Sequence, residues 1–180
     1  YIKICASACR FKSIDINILQ LLIRSVSSYH RRELIANFIL PSIKIKSKEA
    51  IDYLLKNGAP MENTLIEAVN TRDIDIVNIV LKYNSKPLFI NKVSSNKTAL
   101  HIAVENKDID IIKRLLSIPG INVNKTDKDG YSPFMIAFNR RDIEIVQIFL
   151  SNKNIEISDK YILIDTIRMK NVELAKLLIN

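Results

Sequence analysis

Apolar residues recur along this chain at helical spacing, and the helices they predict come in pairs. After Asp108, the residues Ile109, Ile112, Leu115 and Leu116 fall on one face, as a half-buried helix requires. The same arrangement follows Asp15, Ser47, Asp73, Asp142 and Asn171. All six opening residues are types that cap a helix start, and acidic ones also favour its positive dipole end. A shorter helix is predicted ahead of five of these anchors, marked by a large apolar residue eight positions earlier and a small one five earlier. The marks are Ile39 and Ser42, Leu65 and Ala68, Leu100 and Ala103, Phe134 and Ala137, Leu163 and Thr166. The small residue lets the two helices of a pair approach closely. Thr98 and Ser132 stand where a capping hydroxyl meets the first unpaired amides. Pro133 takes the first helical position, where its missing N–H costs nothing.

The anchors lie 32, 26, 35, 34 and 29 residues apart, so one helix-pair unit is repeated along the chain. The longer intervals hold extra connecting residues, as in Ile118–Asn124 followed by Asp127-Lys128-Asp129-Gly130, a sequence that turns sharply. In a shorter interval, Lys56-Asn57-Gly58-Ala59-Pro60 ends one helix with Gly58 as a left-handed cap, and the next helix begins almost at once. Units of this kind bury their apolar faces only on their neighbours, which gives an extended array with a long concave surface.

Composition narrows the function more than it names it. The chain has 180 residues, 48% hydrophobic and 26% charged, far from a disordered composition. Three glycines leave almost no room for Gly-rich catalytic loops. No run of 18 apolar residues predicts a membrane span. The first residue is Tyr1 and no signal peptide is visible, and Tyr1-Ile2-Lys3-Ile4 and Leu177-Leu178-Ile179-Asn180 read as interior repeats cut open, so a fragment of a longer chain is expected. Two cysteines, Cys5 and Cys9, are too few for a disulfide framework and point to an intracellular, cytoplasmic protein. The sequons at Asn96 and Asn124 are of the kind that arise by chance in an Asn-rich chain.

Three constellations could carry chemistry, and each has a plainer reading. Cys5, Cys9 and His30 lack a fourth zinc ligand and a Cys-x2-Cys knuckle, so no metal site is expected. Asp73/Asp75, Asp108/Asp110 and Asp142/Glu144 look like paired carboxylates, but residues two apart on a helix diverge. They also recur once per unit, as a helix start does and a unique active site does not. Net charge is +8, and residues 1–60 carry ten Lys/Arg against four Asp/Glu. Tyr29-His30-Arg31-Arg32 and Lys44-x-Lys46-x-Lys48 are its clusters, and recruitment to nucleic acid or an anionic membrane through this basic third is the alternative function.

Thr98-Ala99-Leu100-His101-Ile102-Ala103 resembles the Thr-Pro-Leu-His-x-Ala signature of ankyrin repeats. The stretch from Pro119 to Pro133 is similar to the ankyrin connection between repeats, and Leu54-Leu55-Lys56-Asn57-Gly58-Ala59 is a further match. The resemblance is strong over 61–150 and weak over 1–46, where Pro41 sits inside a predicted first helix and residues 24–38 fit poorly. The Ile, Lys and Asn richness is similar to repeat proteins of protists and large viruses with AT-rich genomes. The resemblance implies an all-α solenoid of stacked antiparallel helix pairs with short β-turn fingers. Residues 1–46 would be divergent helical repeats and 47–180 ankyrin-type repeats of one monomeric array.

It further implies a non-catalytic scaffold that binds a partner protein and takes no cofactor, metal or small-molecule substrate. Finger tips and the outer part of each first helix would make the contacts. Those positions are Ser94, Ser95, Lys97, Glu105 and Asn106 in one repeat, and Lys128, Asp129, Tyr131, Asn139 and Arg140 in the next. Only Asn70 and Thr71 map onto the finger-poor repeat. His101 would bond within the loop-to-helix turn, with Thr98.

Overall fold

The computed structural model describes residues 15–152 and 172–179. Expectations resting on Cys5, Cys9, Leu163, Thr166 and Asn171 fall outside these residues. Eleven helices and no strands form among the described residues, ten of them in the order the apolar spacing predicts and one, the turn Pro87–Ile90, not foreseen. The chain divides into two compact units, residues 1–94 and 95–180.

The first unit holds α1 (Ile16–Ser25), α2 (Ser28–Lys44), α3 (Lys48–Lys56), α4 (Thr64–Asn70), α5 (Ile74–Tyr83) and the single turn α6 (Pro87–Ile90). First helix packs on second within a pair, α2 on α3 and α4 on α5. Like helices then stack from one repeat to the next, α2 on α4 and α3 on α5. The second unit repeats this with α7 (Ala99–Asn106), α8 (Ile109–Leu116), α9 (Pro133–Asn139), α10 (Ile143–Leu150) and α11 (Val172–Ile179). There α7 packs on α8 and on α9, and α10 packs on both α9 and α11.

The marker residues form the core. Ile39, Leu65, Leu100 and Phe134 are buried, as are the small partners Ser42, Ala68, Ala103 and Ala137. Ser42 satisfies its hydroxyl within the helix by donating to the Phe38 carbonyl at 2.8 Å. The Phe134 and Phe149 rings meet edge-on at 6.1 Å between centroids, the geometry that their quadrupoles favour.

The caps form at some starts and not at others. Asp15 accepts from the amides of Asn17 and Ile18, and Asp73 from those of Asp75 and Ile76. Thr98 and Ser132 cap α7 and α9, with Pro133 at the first helical position. Ser47, Asp108 and Asp142 do not cap through their side chains. Asp142 instead turns its carboxylate to Lys107 of the preceding repeat, with Nζ 2.9 Å away. Gly58 has the expected left-handed backbone, with φ at 84°, and the Ala59 amide closes on the Leu54 carbonyl.

The turn between the two helices of a pair is made in an unforeseen way. Lys46, Arg72, Lys107 and Arg141 each directly precede an anchor, and each has φ near 60° (59°, 59°, 59° and 57°). A Cβ in that region costs about 1–2 kcal/mol, which glycine would avoid. No glycine or asparagine marks the positions, so nothing in the local sequence signals the turn.

The stretch that fits the repeat template poorly is mostly helix. Residues 28–44 make a first helix of 17 residues, extended at its N-terminal end by an exposed turn. Arg31 lies on that extension and donates from Nε to the Ile23 carbonyl at 3.0 Å, closing the end of α1. Pro41 is accommodated in the last turn, and Asn37, whose carbonyl loses its helical partner, is exposed.

Candidate partner-binding surface

Thr98, at the root of α7, organises the surface of the second unit. Its hydroxyl accepts the His101 amide at 3.4 Å and lies 2.7 Å from His101 Nδ1, while its own amide donates to Nδ1 at 3.2 Å. Two donors on Nδ1 leave the ring proton on Nε2, which donates to the Tyr131 carbonyl at 3.1 Å. Burial is the main reason that His101 titrates below its ordinary value of 6.5, and the bond to Tyr131 only partly opposes it. A neutral, fully buried imidazole therefore ties one repeat to the finger of the next. The expected bond with Thr98 is present, and the bond to Tyr131 extends it.

That finger is clamped at its base. Asp127 Oδ1 accepts from the amides of Asp129 and Tyr131, both at 2.9 Å, and the Asp127 amide donates to the Tyr131 carbonyl at 2.9 Å. Gly130 supplies the left-handed residue, with φ at 83°. Lys128 and Asp129 are exposed at the tip, and Tyr131 is 42% exposed. In the preceding finger, Ser95 and Asn96 both have positive φ, 50° and 65°, as in a tight hairpin turn. Ser95 is exposed there and Ser94 half-buried.

Three of the remaining sequence-assigned residues converge. Lys97 Nζ sits 2.7 Å from each carboxylate oxygen of Glu105. From the next repeat, Arg140 donates Nη1–H to the Glu105 carbonyl at 2.9 Å. Asn139, exposed, immediately precedes Arg140, and Asn106, half-buried, follows Glu105. In the first unit, Asn70 is exposed and Thr71 turns its hydroxyl back to the Ala68 carbonyl at 2.6 Å.

A model described as "Ankyrin repeats (3 copies)" matches residues 39–127 and 100–180. The chain belongs to the ankyrin repeat family. An ankyrin repeat protein of fowlpox virus (strain NVSL) is 33% identical over 116 residues, covering 61% of this chain and 79% of that protein. Protein glp-1 of Caenorhabditis elegans is 26% identical over 145 residues, 72% of this chain but 11% of that protein. A Rickettsia bellii ankyrin repeat protein is 54% identical over 37 residues, 21% of this chain and 38% of that protein. Ankyrin repeats are a general protein–protein interaction module, and the family is typically a non-enzymatic scaffold.

Within the ankyrin array, the carboxylates that open the second helices are used structurally. Asp73 stays ionised to lower pH than usual: burial pushes it up, and the amides of Asp75 and Ile76 together with Lys48 outweigh that. Lys48, one of the basic cluster, spends its ammonium on Asp75 at 2.6 Å and Asp73 at 3.4 Å. Lys82, from the next repeat, holds Asp52 below its ordinary value, with the Tyr83 hydroxyl as a second donor. Among the described residues, no three His, Cys, Asp or Glu side chains gather as a metal site would need. Nor is any described helix long and apolar enough to cross a membrane.

The sequence pattern assigns no role to Ile102 and Ile136. Each is half-buried, six residues before its anchor and between the two core markers of its helix. Their mark is an apolar residue out of phase with the two core markers of the same helix.

Proposed function

We propose that the array binds a partner protein through its finger tips and the outer faces of its first helices. The contact residues would be Ser94, Ser95, Lys97, Glu105, Asn106, Lys128, Asp129, Tyr131, Asn139 and Arg140. The observation that carries this reading is the Lys97–Glu105–Arg140 cluster around α7, whose root His101 ties to the finger that presents Tyr131. Tyrosine and arginine are enriched where interfaces concentrate their binding energy. Here both sit on helix ends and a clamped turn, so little freedom remains to be lost on association.

The same reading takes residues 1–46 as divergent repeats, 47–180 as the regular ones, and the array as a monomer in the cytoplasm. Recruitment to nucleic acid or anionic membrane is the weaker reading. Arg31 and Lys48 already serve internal carbonyls and carboxylates, which takes one cation from each of the two basic clusters.

A pulldown with the chain, set beside one with Tyr131→Ala and Arg140→Ala, tests the assignment. Loss of the specifically retained proteins is expected. Unchanged capture by the doubly substituted chain would reject this face as the binding surface.

A further inference from the structure

The charge balance of the second unit's surface indicates what kind of segment it accepts, given the protein-binding reading above. Two cations, Lys97 and Arg140, share one carboxylate, Glu105. Lys97 takes both carboxylate oxygens at 2.7 Å. Arg140 is left with the Glu105 carbonyl, and the Glu105 Oε1 oxygen it approaches stays 4.0 Å away, beyond hydrogen-bond reach. A guanidinium has five N–H groups, one of which donates to the Glu105 carbonyl, and the Arg140 side chain is 43% exposed, so donors remain for a further acceptor.

Beside this charge lie two half-buried isoleucines. Ile102 precedes Glu105 by three residues on α7, and Ile136 precedes Arg140 by four at the end of α9. Those spacings put each isoleucine on the face of its charged neighbour. The bond from Arg140 to the Glu105 carbonyl holds the two helix ends together, so both isoleucines flank one polar cluster.

We propose that this surface takes an acidic–apolar segment of a partner protein: an aliphatic or aromatic side chain lies against Ile102 and Ile136, and an adjacent Asp or Glu pairs with Arg140. A basic segment meets the one cation here that no carboxylate neutralises at close range, Arg140. An acidic one does not meet a free carboxylate, because Lys97 already neutralises Glu105. Arginine is the weaker-hydrated cation and offers two parallel donors to a carboxylate, so it can be covered at low cost.

The test is selection from a phage-displayed library of random dodecapeptides on the whole chain. Enriched peptides are expected to carry Asp or Glu next to Leu, Ile, Phe or Met. They should lose about tenfold or more in affinity on Arg140→Glu, the change a lost charge-assisted pair of about 1.4 kcal/mol gives. Replacing the peptide's acid with lysine should restore binding to the Arg140→Glu chain, which a folding defect would not allow. Ile102→Ser should weaken the same peptides at unchanged helicity. Enriched peptides that are basic, or indifferent to both substitutions, overturn the acidic–apolar assignment and leave protein binding intact. No enrichment over an unrelated control protein counts against both.

Discussion

His101 is the point where pH should act on this fold. Its ring is fully buried, and Nδ1 is an acceptor for the Thr98 amide and hydroxyl. Protonation turns that acceptor into a donor and sets it against two others. The sign follows from the two states. In the unfolded chain the imidazole titrates near 6.5, and in the folded chain burial holds it lower. Below about pH 6.5 the unfolded state therefore binds more protons, and stability falls as pH drops towards the folded value. Asp52 and Asp73 are depressed below 3.8, so their contributions stay whole across that window and are lost only in stronger acid.

Truncation gives the size of the joint. His101→Ala leaves the buried Thr98 amide without its acceptor, about 1–3 kcal/mol. It also leaves a cavity where the ring was, about 2 kcal/mol more. A total of about 4 kcal/mol corresponds to a fall in melting temperature of about 10 °C for a chain of this length. His101→Gln keeps a buried amide there and does not titrate. The assay is guanidinium unfolding followed by far-ultraviolet circular dichroism at about pH 7.5 and about pH 5.5, in wild type and His101→Gln. Wild type should lose more stability between the two conditions than the variant. Parallel losses would show that the imidazole is not the titrating group, and the reasoning would fail.

The left-handed joints offer a second check. Arg141→Gly removes Cβ strain of about 1–2 kcal/mol against an unfolded-state cost of about 0.5–1, so a gain of roughly half a kcal/mol is expected in denaturant titration. Lys107→Gly should gain less, because it also loses the pair with Asp142, and a larger gain there would contradict the geometry. Asp52→Asn should cost under about 1 kcal/mol, since Lys82 is exposed and Asp52 only half-buried, and the cost should shrink in high salt; a salt-independent loss would speak against an ion pair.

Much of this fold was legible because each repeat states its pattern again. Leu100 and Ala103 could be placed in the core from their phase relative to Asp108, and Phe134 and Ala137 confirmed the phase one repeat later. The residues that escaped are those whose environment is set by a neighbouring repeat. Asp142 reads as a cap and instead faces Lys107, a contact between residues 35 apart. Arg31 reads as part of a basic patch and instead closes the end of α1. Lys46, Arg72, Lys107 and Arg141 adopt a backbone that their residue types do not announce. At the candidate surface, the resemblance implies Lys97 and Glu105 as contacts, but their pairing joins a finger residue to a helix end eight positions on, which no local pattern signals. Ile102 and Ile136 fall between the core markers of their helices, and the phase of the repeat gives them no signal of their own.

The clamp beneath Tyr131 separates two jobs that loops usually combine. Its bonds run through the Asp127 carboxylate, the His101 ring and the main chain at residues 127–131, and none uses the side chains of Lys128 or Asp129. The tip can change its residues while the root keeps its shape. For an evolving or designed binder, this makes the finger a graft site: new recognition can be written at two positions without renegotiating how the repeats stack.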